Sequence, residues 1–240
     1  MDRRAFLLSL LLPAVLPRRA VAGQRTPTPS QVEGPYYPPP AMRARRFPAE
    51  SADLTRVGDT AAEGVRVLLL GRVVDLDGAP QGGARVEIWQ TCHRGRYLHP
   101  ADDWGSEIPQ DPGFAYFGAT ETDAEGGFAL LTVMPRRYPS GARREWWRPP
   151  HVHLKVRAGR RERLTTQLYF DDPQDPDNDW RHRAVQEVDR VLGVVPEAER
   201  HLLRVGLAPL DEAPPGFPQA REVTTWGPPR VGAVEVVLGA

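Results

Sequence analysis

The 240-residue chain has one cysteine, one lysine and no apolar run long enough to cross a bilayer. Cys92 alone cannot form an intrachain disulfide and excludes a thiolate zinc cluster. Lys155 stands beside 30 arginines, and the 31 basic side chains are balanced by 31 acidic ones. With no net positive field and no long basic run, nothing favours a nucleic-acid partner. Helix formers are thinned as well: 22 Gly and 26 Pro make one residue in five a breaker, which rules out a helical bundle. What remains is a set of short runs rich in Val, Leu and Thr between those breakers. They predict an all-β chain, a single β-sandwich with a substantial core, long loops, an extended N-terminal arm and few short helices.

Residues 1–22 read as a leader outside the fold. Arg3-Arg4 precede an apolar run over 5–16, twelve residues and too short to span a bilayer, and Ala20-Val21-Ala22 offers a small-residue cleavage site. Arg3-Arg4-Ala5-Phe6-Leu7 resembles a twin-arginine export signal, which predicts an exported, periplasmic protein without a stable membrane span. An ordinary secretion signal or an uncleaved amphipathic anchor is the alternative. Cleavage would take away four arginines and one aspartate, leaving 27 basic and 30 acidic side chains.

Residues 23–64 are Pro-rich and polar around Glu33-Gly34-Pro35-Tyr36-Tyr37-Pro38-Pro39-Pro40, which predicts an extended arm without helix. The sandwich domain is expected over 65–240. Residues 65–74 read as a strand buried on both faces and 84–90 as a half-buried one; further strands are expected over 116–122, 127–133, 151–157, 164–170 and 231–238. Residues 91–115 and 135–150 read as irregular loops. Short helices are expected over 183–192 and 198–205.

The sharpest motif is Arg148-Pro149-Pro150-His151-Val152-His153. On a strand, residues i and i+2 share a face, so His151 and His153 project together, a spacing suited to two imidazole ligands on one metal. Two solvated surface histidines are the plain alternative. Val152 and Leu154 do not alternate with charges as an exposed strand would, and Pro149-Pro150 stiffens the approach, which favours the metal pair. Ferrous sites add a carboxylate and zinc sites add His, Cys or Asp. The other histidines are His93, His99, His182 and His201, the last two in expected helices. Asp175, Asp177 and Asp179 match the start of a calcium loop, but Trp180 replaces its glycine and Gln186 its final glutamate, so that loop reads as a solvated turn. Tyr97 and Tyr138 stand in the two irregular loops.

Gly71-x-Val73, Val86-Glu87-Ile88-Trp89-Gln90, Gly95-Arg96-Tyr97, Tyr138-Pro139, Trp147 to His153 and Thr166-Gln167-Leu168-Tyr169-Phe170 follow one another as in the intradiol ring-cleavage dioxygenases. The chain resembles the protocatechuate 3,4-dioxygenase (beta-subunit) branch over about residues 33–240, and Glu33-Gly34-Pro35-Tyr36-Tyr37 is similar to the family's arm. The resemblance implies that Tyr97, Tyr138, His151 and His153 ligate a non-haem Fe(III), and that Arg148 and Gln167 assist at the substrate. It implies further that Tyr138 is displaced by substrate and takes up a catechol proton, while Arg148, always cationic, stabilises charge on the attacked ring carbon. The implied reaction cleaves a catechol-type, protocatechuate-like ring between its hydroxylated carbons with O2, giving a cis,cis-muconate-type product. A small aromatic diol and O2 are then the partners, with a homo-oligomer or a related subunit alongside. Two positions depart from the pattern: Gln81 follows a turn where a small or apolar residue is expected, and Ser140 replaces an aromatic of the branch and bears on substrate choice. Arg136-Arg137 and Arg143-Arg144 are candidate cations for a carboxylated substrate, or solvated loop charges. Rival readings are another substituted or lignin-derived catechol, a non-catalytic binding module, and a zinc hydrolase using His151, His153 and His99.

Overall fold

A computed structural model of the chain describes residues 24–47, 50–102, 107–140, 146–171, 189–222 and 226–240. The expected leader, Arg143-Arg144 and the acidic loop with His182 lie outside them, as does most of the helix expected over 183–192.

Two sheets face each other. One carries β4 (Arg85–Trp89), β5 (Phe117–Glu121), β9 (His151–Ala158) and β10 (Arg161–Asp171); the other carries β3 (Arg66–Asp75), β6 (Gly127–Val133) and β12 (Arg230–Leu238). The strand β11 (Arg204–Pro209) belongs to both, so the full order is β5-β4-β9-β10-β11-β12-β3-β6. Its first half runs parallel to β10, with Tyr169 opposite Arg204. Its second half runs antiparallel to β12, with Leu207 opposite Gly232. The period-2 alternation of each strand puts Val86, Ile88, Val152, Leu154, Val156 and Leu168 of one sheet against Val67, Leu69, Leu130, Val234 and Val236 of the other. This single core is the expected all-β sandwich. β3 is buried on its second face too, where Leu68 packs with Leu131, Leu210, Phe217 and Ala220.

Three local expectations are corrected. The arm is not wholly extended: α1 (Pro40–Arg46) begins at the third of the three prolines, and a small hairpin of β1 (Arg56–Val57) and β2 (Thr60–Ala61) comes after it. Pro40 occupies the first turn, where its missing N–H is not needed, and Arg43, Arg45 and Arg46 fill the last turn, where cations suit the helix dipole. The loop over 135–150 contains a ladder, β7 (Tyr138–Ser140) against β8 (Trp146–Arg148). The helix expected over 198–205 is a 3-10 helix at Glu197–Leu203, and Arg204 already belongs to β11. Among the described residues no helix is long and apolar enough to cross a membrane.

Candidate metal centre

The face of β9 that turns away from the core carries His151, His153 and Lys155, all buried. Across the ladders, His153 is paired with Trp89 on one side and Gln167 on the other, and His151 with Tyr169. The arm covers this face. Gly34 has a positive φ of 73°, and a side chain there would meet His153 Cε1 at 3.6 Å.

Each imidazole is fixed in orientation. His151 Nδ1 donates to the Pro149 carbonyl at 2.6 Å, which leaves its Nε2 lone pair free. The His153 ring lies flat on Trp89, centroids 4.7 Å apart. Burial first, and then the Arg148 charge, hold both histidines well below their usual pKa, so both are neutral ligand forms near neutral pH.

The tyrosines reach the pair from the two loops. Asp102 Oδ2 accepts the Tyr97 N–H at 2.6 Å, and Tyr36 stacks on the Tyr97 ring at 4.3 Å. Gly95 sits at φ 84°, and a side chain there would press on the Arg137 carbonyl at 3.1 Å, so this glycine lets the two tyrosine loops approach. Tyr138 opens β7, opposite Arg148. Ring centroids are 5.7 Å apart for Tyr97 and Tyr138, 5.7 Å for Tyr138 and His151, 6.3 Å for Tyr97 and His153, and 5.0 Å for the two histidines. All four predicted ligand residues are thus brought together. The Tyr97 hydroxyl, His151 Nε2 and His153 Nδ1 are buried without a hydrogen-bond partner.

Buried orphan acceptors and hydroxyls are costly, and a cation shared among them removes the cost. Burial, followed by the neighbouring Tyr138, pushes the Tyr97 phenol well up; burial also raises Tyr138, with Arg148 opposing it. A metal ion inverts that balance, because phenolates are hard anionic donors. Two neutral imidazoles and two ionisable phenols therefore fit a trivalent iron. Among the described residues no three His, Cys, Asp or Glu side chains are grouped so that they could hold a metal ion, so His99 does not complete a zinc site with the histidine pair. His99 Nδ1 instead accepts the Ala101 N–H.

Arg148 and Gln167 meet beside the four. Arg148 Nη2 donates to Gln167 Oε1, and Gln167 is tied in turn to the arm through the Val32 carbonyl at 3.0 Å and Gln31 Oε1 at 3.1 Å. Tyr169 donates to Gln167 Oε1 at 3.3 Å and accepts from Gln31 Nε2 at 3.0 Å. Tyr138 and Asp189 outweigh the effect of burial on Arg148 and hold it firmly charged. Sequence reasoning missed Trp89, Tyr36, Tyr169 and Asp189 as neighbours of the centre. The strand register could have found Trp89 and Tyr169, which are cross-strand partners of the histidines; nothing in the sequence marks Asp189. Of the arginines considered for a carboxylated substrate, Arg136 is exposed and Arg137 lies over Trp147, 5.5 Å from its centroid.

Comparison with known proteins finds a match over residues 32–194 to the family Dioxygenase_C, described as dioxygenase. The chain is 41% identical over 114 residues to the protocatechuate 3,4-dioxygenase beta chain of Burkholderia cepacia, spanning 47% of each, so it matches about half the length of that relative. It is 32% identical over 193 residues to the alpha chain from the same organism, covering 80% of this chain and 87% of that one. Among solved structures, the dioxygenase domain of a dioxygenase carbohydrate-binding protein fusion from Streptomyces sp. SirexAA-E aligns with a TM-score of 0.53 and 27% identity, over 90% of this chain and 99% of that one.

Proposed function

The chain belongs to the intradiol dioxygenase family, and from that premise we propose that it is a non-haem Fe(III) oxidoreductase cleaving a catechol-type ring between its two hydroxylated carbons with O2. One observation carries the reading: two histidines and two tyrosines, buried together, present three polar atoms with no partner. Tyr97, Tyr138, His151 and His153 would hold the iron, which as a Lewis acid would draw electron density from a bound catechol.

The rest is work for the side chains. Tyr138 would take up a catechol proton at its phenolate oxygen. Arg148, opposite Tyr138 in the hairpin ladder, would stabilise negative charge on the attacked ring carbon, and Gln167 would hold the guanidinium in place. Trp89 and Tyr36, stacked on His153 and Tyr97, would exclude water and fix the ring planes. The substrate would be protocatechuate-like, with Ser140 leaving room where the branch carries an aromatic.

The relatives named alpha and beta chains support assembly with a second copy or a related subunit, which light scattering of the purified protein tests. The leader supports export to the periplasm, tested by cell fractionation.

The visible spectrum tests the chemistry. Iron-loaded protein is expected to show a broad phenolate-to-iron band that shifts when a catechol is added without oxygen. A protein that stays colourless after ferric loading ends this reading.

A further inference from the structure

Arg148 has a second partner that no ladder predicts. Asp189 lies 41 residues along the chain, in the segment that leads into the 3-10 helix at Leu192–Val194, and its side chain is fully buried. Its Oδ1 stands 3.1 Å from Arg148 Nε, while Gln167 takes the Nη2 side of the same guanidinium. The ring of Trp146 lies 5.7 Å from the guanidinium carbon. Two side chains from separate elements therefore flank the Arg148 guanidinium, Gln167 by a hydrogen bond at Nη2 and Asp189 by an ion pair at Nε, and the aromatic ring limits the remaining swing. Asp189 is itself locked: its Oδ1 accepts the Val191 N–H at 3.0 Å and its carbonyl accepts the Gly193 N–H at 2.9 Å.

We propose that Asp189 is a positioning residue for the reaction, one that sets the direction of the Arg148 charge toward the substrate without touching substrate or iron. Without that carboxylate a buried guanidinium would swing toward other partners, and the candidates here are the phenols of Tyr138, Tyr169 and Tyr97. A fixed carboxylate on Nε removes that freedom and keeps the cation where charge develops. A buried ion pair is a poor source of stability, because desolvation offsets its attraction. The pair is therefore better explained by orientation. The inference rests on the ring-cleavage reading above.

The test compares Asp189→Asn, Arg148→Leu and the double variant, all iron-loaded, with catechol and protocatechuate as probes. Asparagine keeps the size of the side chain and the acceptor for Val191 and removes only the charge. The resting visible band and the anaerobic catechol titration midpoint are expected to match the native protein, while kcat falls by about 10- to 100-fold and KM holds. In the Arg148→Leu background, Asp189→Asn is expected to cost nothing further in kcat and to raise Tm, since it removes a carboxylate left without its cation. If Asp189→Asn alone does not fold, the double variant, which buries neither charge, decides by the same comparison. Native kcat in Asp189→Asn, or losses that multiply in the double variant, would overturn the positioning role. Absence of the band and of turnover in the native protein would instead sink the ring-cleavage reading itself.

Discussion

Two polar clusters lie side by side on the outer face of β4, β9 and β10, beneath the same arm. One is Tyr97, Tyr138, His151 and His153. The other, one residue pair further along β9, is Lys155 with Glu33, Glu162, Glu87, Arg85, Arg157, Arg43 and Tyr37. In the second cluster charge meets charge: Lys155 pairs with Glu33 and with Glu162 at 3.0 Å, and Glu87 takes Arg85 at 2.7 Å and the Tyr37 hydroxyl at 2.7 Å. In the first, three polar atoms have nothing. The first cluster is the more deeply buried, since Glu33 and Glu162 of the second are each 45% exposed. It is also the less satisfied, the second leaving only Arg43 Nε buried without a partner among the described residues. A self-contained network is a device for holding the arm down, whereas an incomplete one is completed by something that is not protein.

The same substitution made in each cluster breaks or sharpens this contrast. Tyr97→Phe removes a hydroxyl that has no partner, so the metal-free protein should be as stable as native or more so, while the visible band and ring cleavage are lost. A variant with reduced Tm but an intact band would reverse the contrast. Tyr37→Phe removes a hydroxyl bonded to a buried carboxylate, and is expected to cost about 1.5 kcal/mol, a fall in Tm of about 3–6 °C, with the iron band unaltered. Thermal unfolding of the metal-free variants checks both.

The smallest effect is one of acidity. Burial works to raise the Glu87 carboxyl, but Arg85, then Tyr37 and Arg157, outweigh it and hold it below its ordinary value. A depressed native pKa means stability that is present above the ordinary carboxylate value and lost as pH falls through the lowered one. Urea titrations from about pH 5 down to about pH 3 should therefore show a steeper loss for the native protein than for Glu87→Gln. Parallel slopes would remove Glu87 from the account. Tyr37, raised to about 12 by burial first and Glu87 second, adds stability that is full below its ordinary value of 10.0 and fades as pH climbs through the raised one.

How much of this was legible follows from the range of the interactions. The sandwich strands and the paired histidines rest on local alternation, and Val152 and Leu154 mark the core side of β9 as clearly as His151 and His153 mark the other. The family motifs pointed to Tyr97 and Tyr138, which the fold brings to the same place from separate loops. The α1 helix was hidden because its three leading prolines read as extended chain, although the first turn tolerates Pro40. The β7–β8 ladder was hidden because Pro139 sits in it and both strands are three residues long. β11 follows a 3-10 turn and pairs only with distant strands, and Asp189 acts on a residue 41 positions away; neither leaves a period to read.

The position of β12 has a consequence for how the chain folds. The strand made from residues 230–238 is an interior strand, held between β11 and β3, and its partner β3 begins at Arg66. Without it, the β3–β6 pair has no ladder to the rest of the sandwich. The sheet that carries the two candidate histidine ligands is drawn largely from residues 85–171 and can pair early, but the second sheet must wait for strand 230–238 to be synthesised. Such a topology has high contact order and folds slowly. The apolar inner faces of β4, β9 and β10 would then stay uncovered during synthesis, the stage at which a nascent chain is most in need of a chaperone.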